Sequence, residues 1–245
     1  MVLKAVFLEF SGVVIKDADL RQRLIDDLLL SENLRPNPAE YDEVCTGCSD
    51  RICLQQLLER RGRIATPPLL DKLLAQKATA YIHALEAAPK LPLYPGLTDL
   101  LYKVKTESLL LGLVTGTARA EVDWVLAQAN LADQFAVVVT AADLAIEDEK
   151  PAPKGYQIAI ARLNERYPDL ALSPADCVAI EAFYPGIAAA KSAQIPVVGV
   201  AHHYPYRMMQ RRANWVVDYL NEIEFPWLQR WYDPSAIAPP ETGED

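Results

Sequence analysis

Between residues 98 and 223 the sequence changes regularly between helix-like and strand-like segments. Stretches with apolar residues every three or four positions predict helices, and the short apolar, β-branched runs between them predict strands. In order, the segments are TDLLYKVKTE, SLLLGLVTGT, EVDWVLAQAN, FAVVVT, PKGYQIAIARLNER, DCVAIEA, PGIAAAKSAQ, PVVGVA and ANWVVDYLNEI, the last of which predicts a strand and a short helix. Strands that alternate with helices pair in parallel through right-handed crossovers, with helices on both faces of the sheet. The chain is therefore predicted to be an α/β protein with a doubly wound parallel sheet.

A further strand is predicted at the start of the chain, and it ends on a charged side chain. Residues 2–10, VLKAVFLEF, form a β-branched and apolar run that stops at Ser11 and Gly12, a pattern typical of a buried strand followed by a tight turn. A carboxylate such as Glu9 is costly in that position. Because open parallel sheets bind ligands at the carboxyl ends of their strands, Glu9 indicates where function lies.

The region after this strand has only helical periodicity. LRQRLIDDLLL, SDRICLQQLLERRG and PPLLDKLLAQKATAYIHALEAA are the three segments that carry it, and turn residues including Pro92, Pro95 and Gly96 follow them. We therefore expect an all-α cap at 17–92, carried on two hinges by a core made of 1–16 and 93–224. Residues 225–245 are aromatic, then Pro-rich and acidic. We expect this tail to be mobile over its last ten or so residues.

Composition and charge narrow the class of protein. Of the 245 residues 51% are hydrophobic and 23% are charged, which is enough to bury a sizeable core in a globular chain. The formal net charge of -9 argues against a nucleic-acid partner or an anionic membrane surface. The apolar start of the chain is too short for a spanning helix and lacks a signal-peptide cleavage pattern. These features predict a cytoplasmic protein.

Cys45 and Cys48 form a C-x-x-C pair, which occurs in redox dithiols and in zinc sites. No second C-x-x-C and no nearby pair of histidines completes a zinc tetrad. Cys53 follows one turn further into a predicted helix. We interpret these cysteines as small apolar residues beside a helix start, with a redox pair as the alternative.

Four short motifs fall in order at the ends of predicted strands. They are FLEFSGVVI at 7–15, LVTGT at 113–117, EKPAP at 149–153 and VAIEAFYPGIAAAKSAQIPVVGV at 178–200. Together they resemble the haloacid dehalogenase superfamily, in the phosphoglycolate phosphatase-like and β-phosphoglucomutase-like branch. The resemblance covers nearly the whole chain. It implies a Rossmann-like core with an inserted helical cap and hydrolysis of a small phosphorylated molecule.

The resemblance also implies roles for individual residues. In the family the first motif reads D-x-D-G-V, where the first Asp attacks phosphorus and the second protonates the leaving group; here Glu9 and Ser11 stand at these positions. Thr115 matches the hydroxyl residue that binds the phosphoryl group, and the N–H of Gly116 lies in the same turn. Lys150 matches the lysine that neutralises nucleophile and phosphate.

The implied cofactor is Mg²⁺, held by Glu9 and Glu181. Ala182 stands where the family has an Asp that helps to hold the ion, so one oxygen ligand is missing. Without the metal, each carboxylate would repel a phosphate by about 4 kcal/mol at about 4 Å and an effective dielectric of about 20. Magnesium binding is therefore doubtful from the sequence alone.

The two changes in the first motif weaken the usual chemistry. Glu9 keeps the charge but extends it by one methylene, and a shift of about 1 Å in a reacting group can cost about 100-fold in rate. Ser11 without an activating base is a poor proton donor, and acid–base help is worth about 100- to 10,000-fold.

Structural interpretations of the same residues stay open. Glu9 can simply pair with Lys150, Thr115 can close its turn without a ligand, and Glu181 can hold a residual cation or a lysine. In the cap, TGCSDR offers Cys48 or Arg51 as lining of the site. His202 and His203 are predicted to lie in a surface loop.

The sequence leaves two functions open, one as an enzyme and one as a binding protein. The first is a hydrolase for a small phosphorylated metabolite, inactive or only weakly active as a phosphatase. The alternative is a pseudoenzyme that acts as a binding or scaffold protein. Its partner would be a protein that contacts the cap or the aromatic residues Phe225, Trp227, Trp231 and Tyr232, although this cluster could also pack back on the core.

Overall fold

The computed structural model of the protein describes residues 2–232, and its centre is one six-stranded sheet. The strands are β1 (Ala5–Leu8), β2 (Leu110–Val114), β3 (Val137–Val139), β4 (Cys177–Glu181), β5 (Val197–Val200) and β6 (Trp215–Val217). They lie in the order β3-β2-β1-β4-β5-β6, and every neighbouring pair is parallel. The predicted fold class is confirmed.

Helices follow the strands as the periodicity predicts. They are α1 (Ala18–Ser31), α2 (Pro38–Val44), α3 (Asp50–Arg60), α4 (Pro67–Glu86), α5 (Leu97–Thr106), α6 (Arg119–Gln128), α7 (Lys154–Arg166), α8 (Tyr184–Ser192), α9 (Tyr206–Met209) and α10 (Phe225–Tyr232). One face of the sheet packs against Leu100, Val122 and Val125 of α5 and α6. The other packs against Tyr156 and Ile187 of α7 and α8. A sheet covered on both faces must be apolar throughout, which explains the unbroken apolar runs of the strands.

The topology brings the ends of three strands together. Leu8 of β1 is in register with Leu113 of β2 on one side and with Ile180 of β4 on the other. Strand order reverses at β1, because β2 and β4 lie on opposite sides of it, and such a switch point opens a crevice at the carboxyl ends of the strands. The residues that follow these three strands therefore meet at one edge.

Helices α1 to α4 form the helical cap inserted after β1, and among the described residues 17–92 there is no strand of the main sheet. The cap has its own apolar cluster, which includes Ile25, Leu54, Leu57 and Leu73. Its two connections to the core run side by side: the N–H of Lys16 bonds Pro92 O, and the N–H of Tyr94 bonds Val14 O. The boundaries of the cap at 17 and 92, and of the core at 224, stay predictions.

The cysteine interpretation requires a correction. Cys45 is bonded to Cys53 in a disulfide that joins the end of α2 to α3, and Cys48 is free and half-buried. The C-x-x-C pair is therefore not a dithiol in this structure. A side chain one turn into α3 faces the end of α2, and the C-x-x-C spacing alone gives no sign of this contact.

The C-terminal aromatic residues do not share one environment. Phe225 and Leu228 of α10 are buried in the core, whereas Trp227 is 46% exposed. The side chains of Trp231 and Tyr232 and the predicted mobile segment at 236–245 lie outside the part of the chain that the structure describes. Within residues 2–232, no helix is long and apolar enough to cross a membrane.

A buried ion-pair network joins the cap to the core. Lys77 of α4 is 1% exposed, and its Nζ lies 2.7 Å from Asp50 Oδ2 in the cap and 2.7 Å from Glu121 Oε2 on core helix α6. Arg21 Nη2 holds the other oxygen of Asp50 at 2.8 Å. Burial raises the pKa of Glu121 to about 7, against the opposing effect of Lys77. Lys77 therefore joins cap helix α3 to core helix α6 through one ammonium group.

We expect Lys77→Ala to lower the free energy of unfolding by about 3–5 kcal/mol, because it leaves the Glu121 carboxylate buried without a cation. Urea unfolding followed by circular dichroism measures the change. The matched control is Lys72→Ala on the same helix. Lys72 is exposed and lies 3.5 Å from the half-buried Glu32, and its loss should cost at most about 1 kcal/mol. Equal losses in both variants would contradict the importance of the network.

Candidate active site at the strand ends

The site centres on Lys150, whose side chain lies between two carboxylates. Its Nζ is 2.5 Å from Glu9 Oε2 and 2.6 Å from Glu181 Oε1, and it also donates to Val114 O at 2.7 Å. Burial alone would lower the pKa of Lys150, but Glu181 and Glu9 raise it above its usual value. The remaining oxygen of Glu9, Oε1, accepts the N–H of Phe10 at 2.7 Å. The predicted Glu9–Lys150 pair is thus present, with Glu181 as a third member.

Glu181 is fully buried at the end of β4. Tyr156 of α7 donates its hydroxyl to Glu181 Oε1 at 2.5 Å, while Oε2 has no hydrogen-bond partner in the described chain. A methyl group at position 186 would overlap this carboxylate, so Gly186 provides its space. Burial raises the pKa of Glu181 to about 7; Lys150 opposes the shift and Glu9 adds to it. A lysine partner, one of the two predicted interpretations of Glu181, is therefore what the structure shows.

Thr115 closes the turn after β2. Its Oγ1 accepts the N–H of Thr117 at 3.1 Å and lies 3.0 Å from the Thr117 hydroxyl. At the next residue the backbone of the cap comes close: a Cβ on Gly116 would lie 2.9 Å from Ser49 Cβ. Both residues line the small cavity at the centre of the site. The N–H of Thr115 donates to Val139 O at 3.0 Å, so only the N–H of Gly116 is suited to an anion, and Ser49 lies close to it.

Ser11 has a partner that the sequence did not reveal. Its Oγ donates to Asp17 Oδ2 at 3.1 Å, and Tyr81 Oη donates to the same oxygen at 2.8 Å. The expectation that Ser11 lacks a nearby base is therefore wrong. Asp17 precedes α1, and its side chain reaches Ser11 because the chain folds back between β1 and the cap through a bridge between Ser11 and Ile15.

Cap residues also reach the motif that carries Lys150. Glu149 accepts hydrogen bonds from Ser49 Oγ and from Arg51, whose Nε lies 2.8 Å from Oε1. Burial raises the pKa of Glu149 against the effect of these two partners. Cys48 lines the central cavity, as one of the two predictions proposed, whereas Arg51 contributes by holding Glu149.

The central cavity has a volume of about 20 Å³, which is room for about one water molecule. Its lining includes the predicted Glu9, Ser11, Thr115, Gly116 and Lys150. The cap residues that also line it are Arg21, Gly47, Cys48 and Ser49. A phosphate group is larger than this space, so a phosphorylated ligand requires the cap to move away from the core.

The donor groups at the site do not fit Mg²⁺. Glu9 and Glu181 share the Lys150 ammonium, and Ala182, which is fully buried, offers no oxygen. Over the described part of the chain, no group of three or more His, Cys, Asp or Glu side chains is arranged to hold a metal ion. Mg²⁺ takes six oxygen ligands, several of them water molecules, and it would have to displace the lysine to reach these two carboxylates.

His202 and His203 lie in the turn after β5, where His202 is half-buried and His203 is exposed. His202 stacks on Tyr94 with ring centroids 3.9 Å apart, and its Nδ1 lies 2.8 Å from Gly12 O. His203 packs on Phe183, which lines the central cavity. His202 therefore contacts the loop after β1, and His203 packs on a residue of the cavity wall. The prediction of a surface loop describes only part of their surroundings.

The fold, the four strand-end motifs and the helical cap define a class of protein. Residues 3–194 match the model of the haloacid dehalogenase-like hydrolase family. This chain belongs to that family, and the resemblance of its motifs is confirmed.

Relatives and solved structures agree with this assignment. The chain is 28% identical over 205 residues to a β-phosphoglucomutase of Bacillus subtilis, covering 83% of this chain and 85% of the relative. It is 26% identical over 211 residues to the protein CbbY of Rhodobacter capsulatus, covering 83% of this chain and 88% of that protein. A β-phosphoglucomutase structure from Clostridium difficile superposes with a TM-score of 0.80 at 22% identity, covering 96% and 100%. A structure of CbbY from Rhodobacter sphaeroides in complex with phosphate superposes with a TM-score of 0.76 at 21% sequence identity, covering 91% of this chain and 96% of that chain.

The shifted pKa of Glu181 predicts a pH dependence of stability. A carboxyl group whose pKa is raised from 4.5 to about 7 in the folded protein binds its proton more tightly when folded. Its contribution to stability is therefore complete below pH 4.5 and is lost as the pH rises towards 7. We expect the difference in unfolding free energy between the wild type and Glu181→Gln to fall by about 1–3 kcal/mol across this window. A difference that is independent of pH, measured by urea unfolding, would contradict the shift.

Proposed function

We propose that this protein binds a small phosphorylated metabolite at the strand-end site and hydrolyses it only slowly. The observation that carries the proposal is the bridge formed by Lys150 between Glu9 and Glu181, beside Ala182. It keeps the charge-neutralising lysine of a phosphatase and occupies the two carboxylates that could hold a metal ion. Ala182 offers no further oxygen to such an ion.

Membership of the hydrolase family supports the substrate class. Relatives include proteins named β-phosphoglucomutase, and the similar CbbY structure contains phosphate. In this chain Thr115 presents a hydroxyl and Gly116 a backbone N–H at the end of β2, and Lys150 supplies positive charge. These groups suit one phosphoryl group. Substrate entry requires the cap to open, since the cavity in the closed structure is about 20 Å³.

The second candidate is a binding or scaffold protein without turnover. Two observations favour it: the closed cavity, and the Ser49 and Arg51 contacts with Glu149 that hold the cap on the site. A protein partner would contact the outer cap or Trp227, the exposed aromatic residue of α10. In this case the buried charges would serve only to keep cap and core together.

Assays of aryl and sugar phosphates with and without Mg²⁺ test the proposal. We expect slow turnover by the wild type and its loss in Lys150→Ala, because the variant leaves two carboxylates facing the phosphate without a cation. Lys154→Ala, an exposed lysine four residues further on, is the matched control and should retain the wild-type rate. Equal rates for the wild type and Lys150→Ala would refute the proposed hydrolysis.

Restoring the family residues gives a second comparison. We expect Glu9→Asp, Ser11→Asp and Ala182→Asp together to raise Mg²⁺-dependent turnover by about 100-fold or more, because nucleophile reach and acid–base help each contribute at about that level. An inactive wild type combined with an active triple variant would favour the scaffold candidate.

A further inference from the structure

Asp17 is a buried carboxyl group whose hydrogen bonding is incomplete. It is 2% exposed; Oδ2 accepts from Ser11 Oγ at 3.1 Å and from Tyr81 Oη at 2.8 Å, while Oδ1 has no partner in the described chain. A buried polar atom without a partner costs about 1–3 kcal/mol. A neutral acceptor would satisfy Tyr81, so this hydrogen bond alone does not account for a carboxyl group here.

The position of Asp17 connects it to the site. Ser11 lies between Asp17 and the central cavity that Glu9 and Lys150 line. On the other side, Ser11 and Asp17 both line a second cavity of about 250 Å³, which shares Ser11, Arg21, Gly47 and Phe183 with the central one. The two cavities adjoin each other, so once the cap has moved to admit a phosphate at Lys150, the remainder of the ligand would lie beside Ser11 and Asp17.

Burial and the surrounding charges act on the pKa of Asp17 in opposite directions. Arg21 of α1 and Lys77 of α4 favour its ionised form, together with the hydrogen bonds from Tyr81 and Ser11, but burial outweighs them and raises its pKa. The other titratable groups that interact with Asp17 are Tyr41 of α2 and Tyr94, beside the second cap connection. Arg21 is itself held by Asp50 at 2.8 Å, which reduces its effect on Asp17.

We propose that Asp17 replaces the missing acid–base group of this site and acts through the hydroxyl of Ser11. This inference rests on the proposed phosphomonoester hydrolysis. Asp17 is a positioning and proton-relay residue, since Ser11 is the group that touches the substrate. The relay explains how a serine can stand at the position of the proton-donating aspartate of the family.

The proton movements balance over one turnover. When Glu9 attacks phosphorus, the bond from phosphorus to the leaving oxygen breaks, Ser11 Oγ gives its proton to that oxygen, and protonated Asp17 restores the proton to Ser11. Water then attacks the phosphoryl group on Glu9 and passes a proton through Ser11 back to Asp17 as the bond to Glu9 breaks. The observed hydrogen bond, in which Ser11 donates to Asp17, has the direction required before this second step.

Leaving-group dependence tests the relay. Asp17→Asn should slow hydrolysis of an alkyl phosphate such as glycerol phosphate by about 100-fold or more, the value of acid–base help. It should slow p-nitrophenyl phosphate less than about tenfold, because that leaving group needs little proton donation. The alkaline decline of the wild-type pH profile, which marks loss of the Asp17 proton, should disappear in the variant. Ser11→Ala breaks the same relay without altering the buried carboxyl group and should show the same selectivity.

Asp27→Asn is the matched control, an exposed aspartate on α1, the helix that Asp17 precedes, which lines neither cavity; it should retain the wild-type ratio of the two substrates. If Asp17→Asn and Ser11→Ala slow both substrates equally, or neither, the relay is refuted while the proposed hydrolysis stands. If the wild type hydrolyses neither substrate faster than Lys150→Ala, the proposed function fails and the relay fails with it.

Discussion

The rest of the site depends on one ammonium group shared by two buried carboxylates. Lys150 holds Glu9 and Glu181 at 2.5 and 2.6 Å, across the ends of β1 and β4. Without it, two negative charges would face each other in a region of low dielectric, which proteins do not tolerate unless one group takes up a proton. Even with the lysine present, burial and the neighbouring Glu9 raise the pKa of Glu181. Tyr156 donates a hydrogen bond to the Glu181 carboxylate, and Gly186 leaves the space that this carboxylate occupies.

The sequence predicted the fold well because its signals are local. The change from helical to strand periodicity marked every strand of the sheet, and the strand-end motifs placed Glu9, Thr115, Lys150 and Glu181 at one edge. Parallel pairing makes this inference secure, since neighbouring strands end together. The pairing of Glu9 with Lys150 was also among the predicted interpretations.

The parts that sequence could not supply are contacts between distant segments. Asp17 looks like an ordinary residue before a helix, and Lys77 looks like one of several lysines on an amphipathic helix, yet both are buried by the closure of the cap on the core. Glu149 is held by Ser49, a residue 100 positions away. The bond of Cys45 to Cys53 instead of Cys48 depends in the same way on how α2 meets α3. The burial of a charged residue can be predicted only when its partner is known, and the partners of Lys77 and Glu149 lie far away in the sequence.

The two connections between cap and core, at residues 14–16 and 92–94, run side by side and are joined by backbone hydrogen bonds. Because the chain leaves the sheet and returns to it at nearly the same point, the length and shape of the inserted segment place no demand on the strands. An ancestor could therefore have gained, lost or exchanged the four helices as a unit. The helices that cover the strand ends can therefore change in length and sequence while the sheet stays the same.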